Sequence, residues 1–265
     1  VLETHRTRAQ EELAGRADAE PEMLYYLAER GTEKAQRAVA ANPSAPAEAN
    51  DILSVNTDPE IRAQLAQKIG RLLPDLLASE RERVCTLTLA TLQRLAADQL
   101  PRVRAVLSEE IKHLTCVPKS VVDTLARDTE EEVFAPILEY SPLLSDSDLL
   151  EIVASARAQS ALAAVARRRD VSEAVSDAIV ASLDISSVAA LLANPDARMR
   201  EGTMEKIIDR ARTITSWHNP LVMRSDLSLR AIRRISGFVG TALVEKLVQR
   251  HGIDEEDRKS TRLNS

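Results

Sequence analysis

Apolar residues return along this chain at helical spacing, in short runs that each end at a turn. Pro21 to Arg30 (PEMLYYLAER) is predicted as a helix, with Glu20 ahead of its proline and Gly31 as its stop. A second helix starts at Thr32-Glu33 and ends before Asn42-Pro43. Pro46 opens a third through Leu53, Asn56-Thr57-Asp58-Pro59 turns the chain, and Ile61-Arg62 begins a fourth. Val84 to Leu95 (VCTLTLATLQRL) mixes the two periodicities, and its length and flanking helices favour helix over strand. From Pro118 the runs resume as PKSVVDTLARD, EEEVFAPILEY, SDSDLLEIVAS, AQSALAAVARR, VSEAVSDAIVASL and SVAALLANP. A last pair spans Asp226 through Arg234 and Phe238 to Gln249, with Gly237 and Gly240 at the junction. Asp128-Thr129-Glu130, Ser145-Asp146 and Asp170 offer side-chain oxygens to the unpaired amides of first turns. The prolines fall between the periodic runs, as expected of a residue that breaks helix interiors but suits a first turn.

These runs repeat. Pro21 and Pro46 stand 25 residues apart, as do Arg37 and Arg62, and Asn194-Pro195 and Asn219-Pro220; Asn42-Pro43 carries the same dipeptide. Between the ends the step drifts, with turns at Leu114, Ser141, Arg169 and Asn194. Each run has one apolar stripe too narrow to stand alone, and stacked neighbours would bury these stripes in one continuous core. The expected fold is all-α: a curved, right-handed α-solenoid of short helix pairs.

Composition narrows the chemistry. Apolar residues make up 44% of the 265, but aromatics only 2%, so the core must be aliphatic. The formal charge of −6 argues against a broad nucleic-acid surface. Cys85 and Cys116 are too few for a disulfide framework or a CxxC metal site and are expected as buried free thiols. No run reaches the roughly 18–20 apolar residues that cross a membrane. The chain opens on Val1, which points to a missing start. Residues 257–265 (DRKSTRLNS) read back into codons as a common short-read sequencing adapter. Residues 1–256 are therefore taken as a single repeat domain, cut short at its C-terminal end, and 257–265 are set aside as foreign.

NPSAPAEANDILSVNTDPEIRAQLAQK resembles the leucine-rich-variant and HEAT-like classes of helical repeat. APILEYSPLLSDSDLLEIV, RRRDVSEAVSDAIV and LLANPDARM resemble the bacterial family termed domain of unknown function 2336, typical of alphaproteobacteria. The resemblance runs from about Leu27 to Ile253. It implies an α-solenoid and brings no catalytic residues.

Local constellations offer little reactive chemistry. Asp146 and Asp148 form a DxD, but SDSDLL runs straight into a helix without the glycine and closing Glu of an EF-hand, so it reads as a cap. His5, His113, His218 and His251 share no metal-ligand spacing. Gly237-Phe238-Val239-Gly240 matches the GxxG of RNA-binding KH folds but lacks their strands. Glu130-Glu131-Glu132 suits a first turn. Arg37, Arg62 and Arg104 recur beside Asp58 and Asp98, as inter-repeat ion pairs would. No catalytic, cofactor-binding or metal residue is nominated. Two groups remain as partner-binding candidates: the basic cluster Arg167-Arg168-Arg169, helped by Arg157, and the scarce large aromatics Tyr25, Tyr26 and Trp217.

The expectation is a non-enzymatic cytoplasmic scaffold that binds a protein partner along a concave face, without cofactor or membrane, in bacterial regulation or assembly. Two alternatives stay open: a HEAT-like nucleic-acid-binding or DNA-repair module, and the docking half of a truncated signalling protein.

Overall fold

The computed structural model describes residues 2–78, 82–155 and 158–251, with side chains from residue 8 onward. The adapter-like residues 257–265 and Arg157 lie outside that set. Every regular element among the described residues is helical. The chain divides into two compact units, residues 1–144 and 145–265.

The first unit contains α1 (Leu2–Ala14), α2 (Pro21–Arg30), α3 (Glu33–Ala41), α4 (Ala47–Leu53) and α5 (Pro59–Leu77). It continues with α6 (Glu82–Ala96), α7 (Pro101–Ile111), α8 (Lys119–Ala126) and α9 (Glu131–Tyr140). Each helix packs on the one two places ahead: α1 on α3, α3 on α5, α5 on α7 and α7 on α9, with α2, α4, α6 and α8 forming a parallel series. Adjacent helices close each pair, as in α2 with α3 and α8 with α9. The starts are fixed locally. Pro21, Pro59 and Pro101 stand at first positions, Thr32 Oγ1 accepts from Ala35 N, and Asp58 accepts from Glu60 N. Leu24, Leu27, Val39, Leu65, Ile69 and Leu107 are among the fully buried aliphatic side chains that join the two series. At Gly70 a Cβ would lie 2.6 Å from the Glu110 Cβ, so glycine is what lets α5 and α7 approach this closely.

Two prolines depart from the sequence expectation. Pro74 lies inside α5 and Pro136 inside α9. Each removes one backbone bond to the carbonyl four residues back, yet the helix runs on. Buried Leu73 beside the first, and Ile137 and Leu138 beside the second, supply the packing that holds it.

The second unit contains α10 (Asp146–Ser155), α11 (Gln159–Ala166), α12 (Glu173–Ala181), α13 (Ile185–Ala193) and α14 (Glu201–Ala211). A 3-10 turn (Thr215–Trp217) then leads into α15 (His218–Val222), α16 (Leu229–Ser236) and α17 (Thr241–His251). The rule of packing two places ahead recurs here: α10, α12, α14 and α16 form one series, and α11, α13, α15 and α17 the other. Helix α14 carries no repeat mark, but Met204, Ile207, Ile208 and Ala211 are buried at helical spacing. Ser172, not Asp170, caps α12; Asp170 takes a left-handed turn conformation at φ 54°.

One capping device appears in both units. Asn42, at the end of α3, donates to Ala14 O and Arg16 O at the end of α1 and accepts from Ser44 N. Asn194, at the end of α13, donates to Ala166 O (2.8 Å) and Arg168 O (2.6 Å) and accepts from Asp196 N. The matching pair of Asn-Pro dipeptides is therefore Asn42 with Asn194. Asn219 lies inside the first turn of α15 and is exposed, so its spacing from Asn194 has no structural counterpart. Asn194→Ala leaves two buried carbonyls without their donor and is expected to lower stability by about 2 kcal/mol in urea unfolding, while the exposed Asn219→Ala changes it by less than about 0.5 kcal/mol.

Candidate functional site

The strongest polar groups of the first unit join successive helices. Arg62, the fourth residue of α5, meets both carboxylate oxygens of Asp98, in the turn before α7, at 2.6 and 3.0 Å. Arg104, the fourth residue of α7, meets both oxygens of Asp128, in the turn before α9, at 2.6 and 2.9 Å. Arg37 of α3 reaches Asp58, before α5, at 2.7 Å, but stands more exposed. Each lower Arg also braces its own turn, Arg62 on Asn56 O and Arg104 on Asp98 O. Burial would raise the Asp128 carboxyl, but hydrogen bonds from Arg104 and from Glu130 N hold it below the usual carboxylate range. The ion pairs expected of Arg37, Arg62 and Arg104 are present, and each joins one helix pair to the next.

Buried cations do similar work at the other helix ends. Lys68 of α5 donates to Val39 O (3.0 Å), Asn42 O (3.1 Å) and Asn50 Oδ1 (2.7 Å), closing the end of α3. Burial pushes its ammonium down to about 7. Arg224, after α15, donates to Asn194 O and Ala197 O at the end of α13 and is paired with Asp226.

The candidates from sequence are scattered rather than gathered. Tyr25 and Tyr26 lie on α2, exposed together with Met23. Arg168 is buried, and burial lowers its pKa, so the basic cluster splits: only Arg167 and Arg169 reach the surface. Trp217 is not a surface anchor. It is 1% exposed, and its Nε1 donates to Ile185 O at 2.8 Å, so the indole fills the core beside α13 and offers a partner no face. Cys85 is half-buried and Cys116 exposed, which corrects the expectation of two buried thiols. Ser145 and Asp148 cap α10 reciprocally, with Ser145 N donating to Asp148 Oδ2 and Asp148 N to Ser145 Oγ. His218 bonds Ala211 O and His251 bonds Arg224 O. No group of three His, Cys, Asp or Glu is placed to hold a metal ion among the described residues, and no helix among them is long and apolar enough to cross a membrane.

One concave site was not anticipated. In the second unit a groove of about 690 Å³ is lined by Gln159, Leu162, Leu183, Asp184, Ile185 and Ser216, with further serine hydroxyls. It lies where α11 packs on α13 and the 3-10 turn closes in. Leu183 and Ile185 are 52% and 48% exposed, unusual for large aliphatics flanking a single carboxylate. Leu183 sits at φ 63°, a region that costs any side chain with a Cβ. Asp184 caps α13: its Oδ2 accepts from Ser186 Oγ, Ser187 N and Ser187 Oγ. Burial would raise its carboxyl, but those bonds keep it ionised below the usual range.

Residues 133–262 match the model of a family described as an uncharacterised protein conserved in bacteria, domain of unknown function 2336. The match includes the whole of APILEYSPLLSDSDLLEIV, which starts at Ala135, with RRRDVSEAVSDAIV and LLANPDARM, and begins at Val133 rather than near Leu27. No curated protein matches the chain.

Proposed function

We propose that this chain, which bears the family 2336 signature over residues 133–262, is a non-enzymatic helical-repeat scaffold. Its role is to bind a protein partner in the cytoplasm of a bacterium, in regulation or assembly. Its helix pairs continue one another as an α-solenoid of the HEAT-like and leucine-rich-variant kind. The observation that carries this reading is the placement of the strongest polar groups. Arg62, Arg104, Lys68, Asn42, Asn194 and Arg224 all spend their donors on a neighbouring helix end or turn. Stacked repeats of this kind contact only their neighbours and present extended surfaces to partners. The same placement disfavours the nucleic-acid reading, because arginines clasped by Asp98 and Asp128 are neutralised before any phosphate could meet them.

The test is affinity capture with the complete chain from a bacterial lysate, run in parallel with and without nuclease. The scaffold reading expects a discrete set of proteins that survives nuclease. Retention of nucleic acid alone, released steeply by salt, supports the alternative and contradicts it.

A further inference from the structure

We infer that the groove between α11 and α13 is an arginine-binding site for a partner protein segment, an inference that rests on the scaffold reading above and gives it a location. The two units differ at one matched position. In the first, the fourth residue of α5 or α7 is an arginine, and it clasps an aspartate in the turn before the next helix of its series. In the second, α11 packs on α13 as α5 packs on α7, and Asp184 occupies the turn before α13. The fourth residue of α11, however, is Leu162. Leu162 and Asp184 line the same groove, so the aspartate is present and its arginine is not. Asp184 Oδ2 is taken by Ser186 and Ser187, whereas Oδ1 accepts no hydrogen bond from the described residues.

The surroundings suit an arginine supplied from outside. A guanidinium reaching Oδ1 would find serine hydroxyls at the groove wall for its remaining N–H groups. Its three-carbon stem, with any aliphatic neighbour in the partner, would cover Leu183 and Ile185, which the fold itself leaves half exposed. Leu183 holds its side chain there from a left-handed backbone position that glycine or asparagine would occupy more easily. The partner is thus a segment with an arginine beside aliphatic residues, and the chain's net charge of −6 favours its approach.

The test is a displayed library of random twelve-residue peptides selected on the complete chain, with binding re-measured on two variants. Asp184→Asn keeps a capping side chain on α13 but removes the charge. Leu162→Arg restores the arginine that the first unit has. Selected peptides are expected to share an arginine flanked by aliphatic residues and to lose tenfold or more in affinity on either variant; lysine in place of arginine should lose several-fold. Peptides without a basic residue, or unaffected by both variants, overturn the assignment. So does a dimer of the wild-type chain that Leu162→Arg dissolves, since a second copy would then fill the groove. Should lysate capture yield a protein whose binding ignores both variants, the groove fails and the scaffold reading stands; should neither library nor lysate yield a binder, both fail.

Discussion

Arg104→Met is expected to destabilise the first unit by about 3 kcal/mol, measured by urea unfolding at pH 7, because it leaves the buried Asp128 carboxylate without its counter-charge. The side chains of the pair are only 13% and 8% exposed, so water replaces little of what the guanidinium supplied. Acid dependence separates this from a simple packing defect. In the wild type, Asp128 has a folded-state pKa below its unfolded value of 3.8, so its contribution is present above that value and is lost as pH falls through the folded one. Without Arg104, burial governs and the carboxyl rises instead. The difference between wild type and variant should therefore be largest above about pH 5 and shrink towards pH 3. A difference that stayed constant with pH would assign the loss to the guanidinium stem and not to its charge.

Lys68→Met is expected to cost nearly as much, roughly 2–3 kcal/mol, for the opposite reason: one buried acceptor loses its donor and two more lose one of theirs. Val39 O, Asn42 O and Asn50 Oδ1 face the ammonium from the end of α3 and from α4; Val39 O also accepts from Asn42 N and Asn42 O from Ala45 N, whereas Asn50 Oδ1 accepts from no other donor among the described residues. Methionine fills a similar volume and donates to none of them, which leaves Asn50 Oδ1 bare. The pH profile again discriminates. The folded pKa of about 7 lies below the 10.5 of an unperturbed lysine, so the unfolded chain binds the extra proton between them and stability rises with pH across that window. The wild type should gain up to about 1.4 kcal/mol per unit from pH 7 to 9, and Lys68→Met should lack that slope. An identical slope in both proteins would remove Lys68 as its source.

Much of the fold is written in local chemistry. Pro21, Thr32 and Pro59 mark helix starts because a first turn needs what those residues provide, and α2, α3 and α4 begin within a residue of where they are expected. Arg37 and Arg62 repeat because each meets the turn of the next pair, so their period was a true one. The Asn194–Asn219 period was not. The dipeptides match, but a capping side chain needs a place at a helix end, which Asn194 has and Asn219 lacks. Position within a helix is a consequence of packing that a dipeptide does not carry.

The sites were less legible, for related reasons. Trp217 reads as an amphipathic anchor until its N–H is seen to end on Ile185 O inside the core. Arg168 cannot be told from Arg167 and Arg169 in a run of three, although one faces inward and two outward. Lys68, in QLAQKIGRLL, looks like a solvated lysine, because the carbonyls that surround it come from residues 18 to 29 positions away. The groove leaves the faintest trace of all. It is signalled by a leucine at a place where the other unit has arginine, and a departure of that kind becomes visible only once the two units can be compared helix by helix.

The central claim is that clasped charges in this chain hold the fold together, while the unclasped one serves a partner. One paired measurement tests it: unfolding midpoint and peptide affinity for the same change, aspartate to asparagine, at Asp128 and at Asp184. The account predicts that Asp128→Asn lowers the midpoint and leaves the affinity of the folded protein unchanged, whereas Asp184→Asn, which keeps a cap on α13 but not its charge, lowers the affinity tenfold or more and the midpoint by less than Asp128→Asn does. Equal effects of the two variants on both quantities, or a loss of stability without loss of affinity at Asp184, would contradict it.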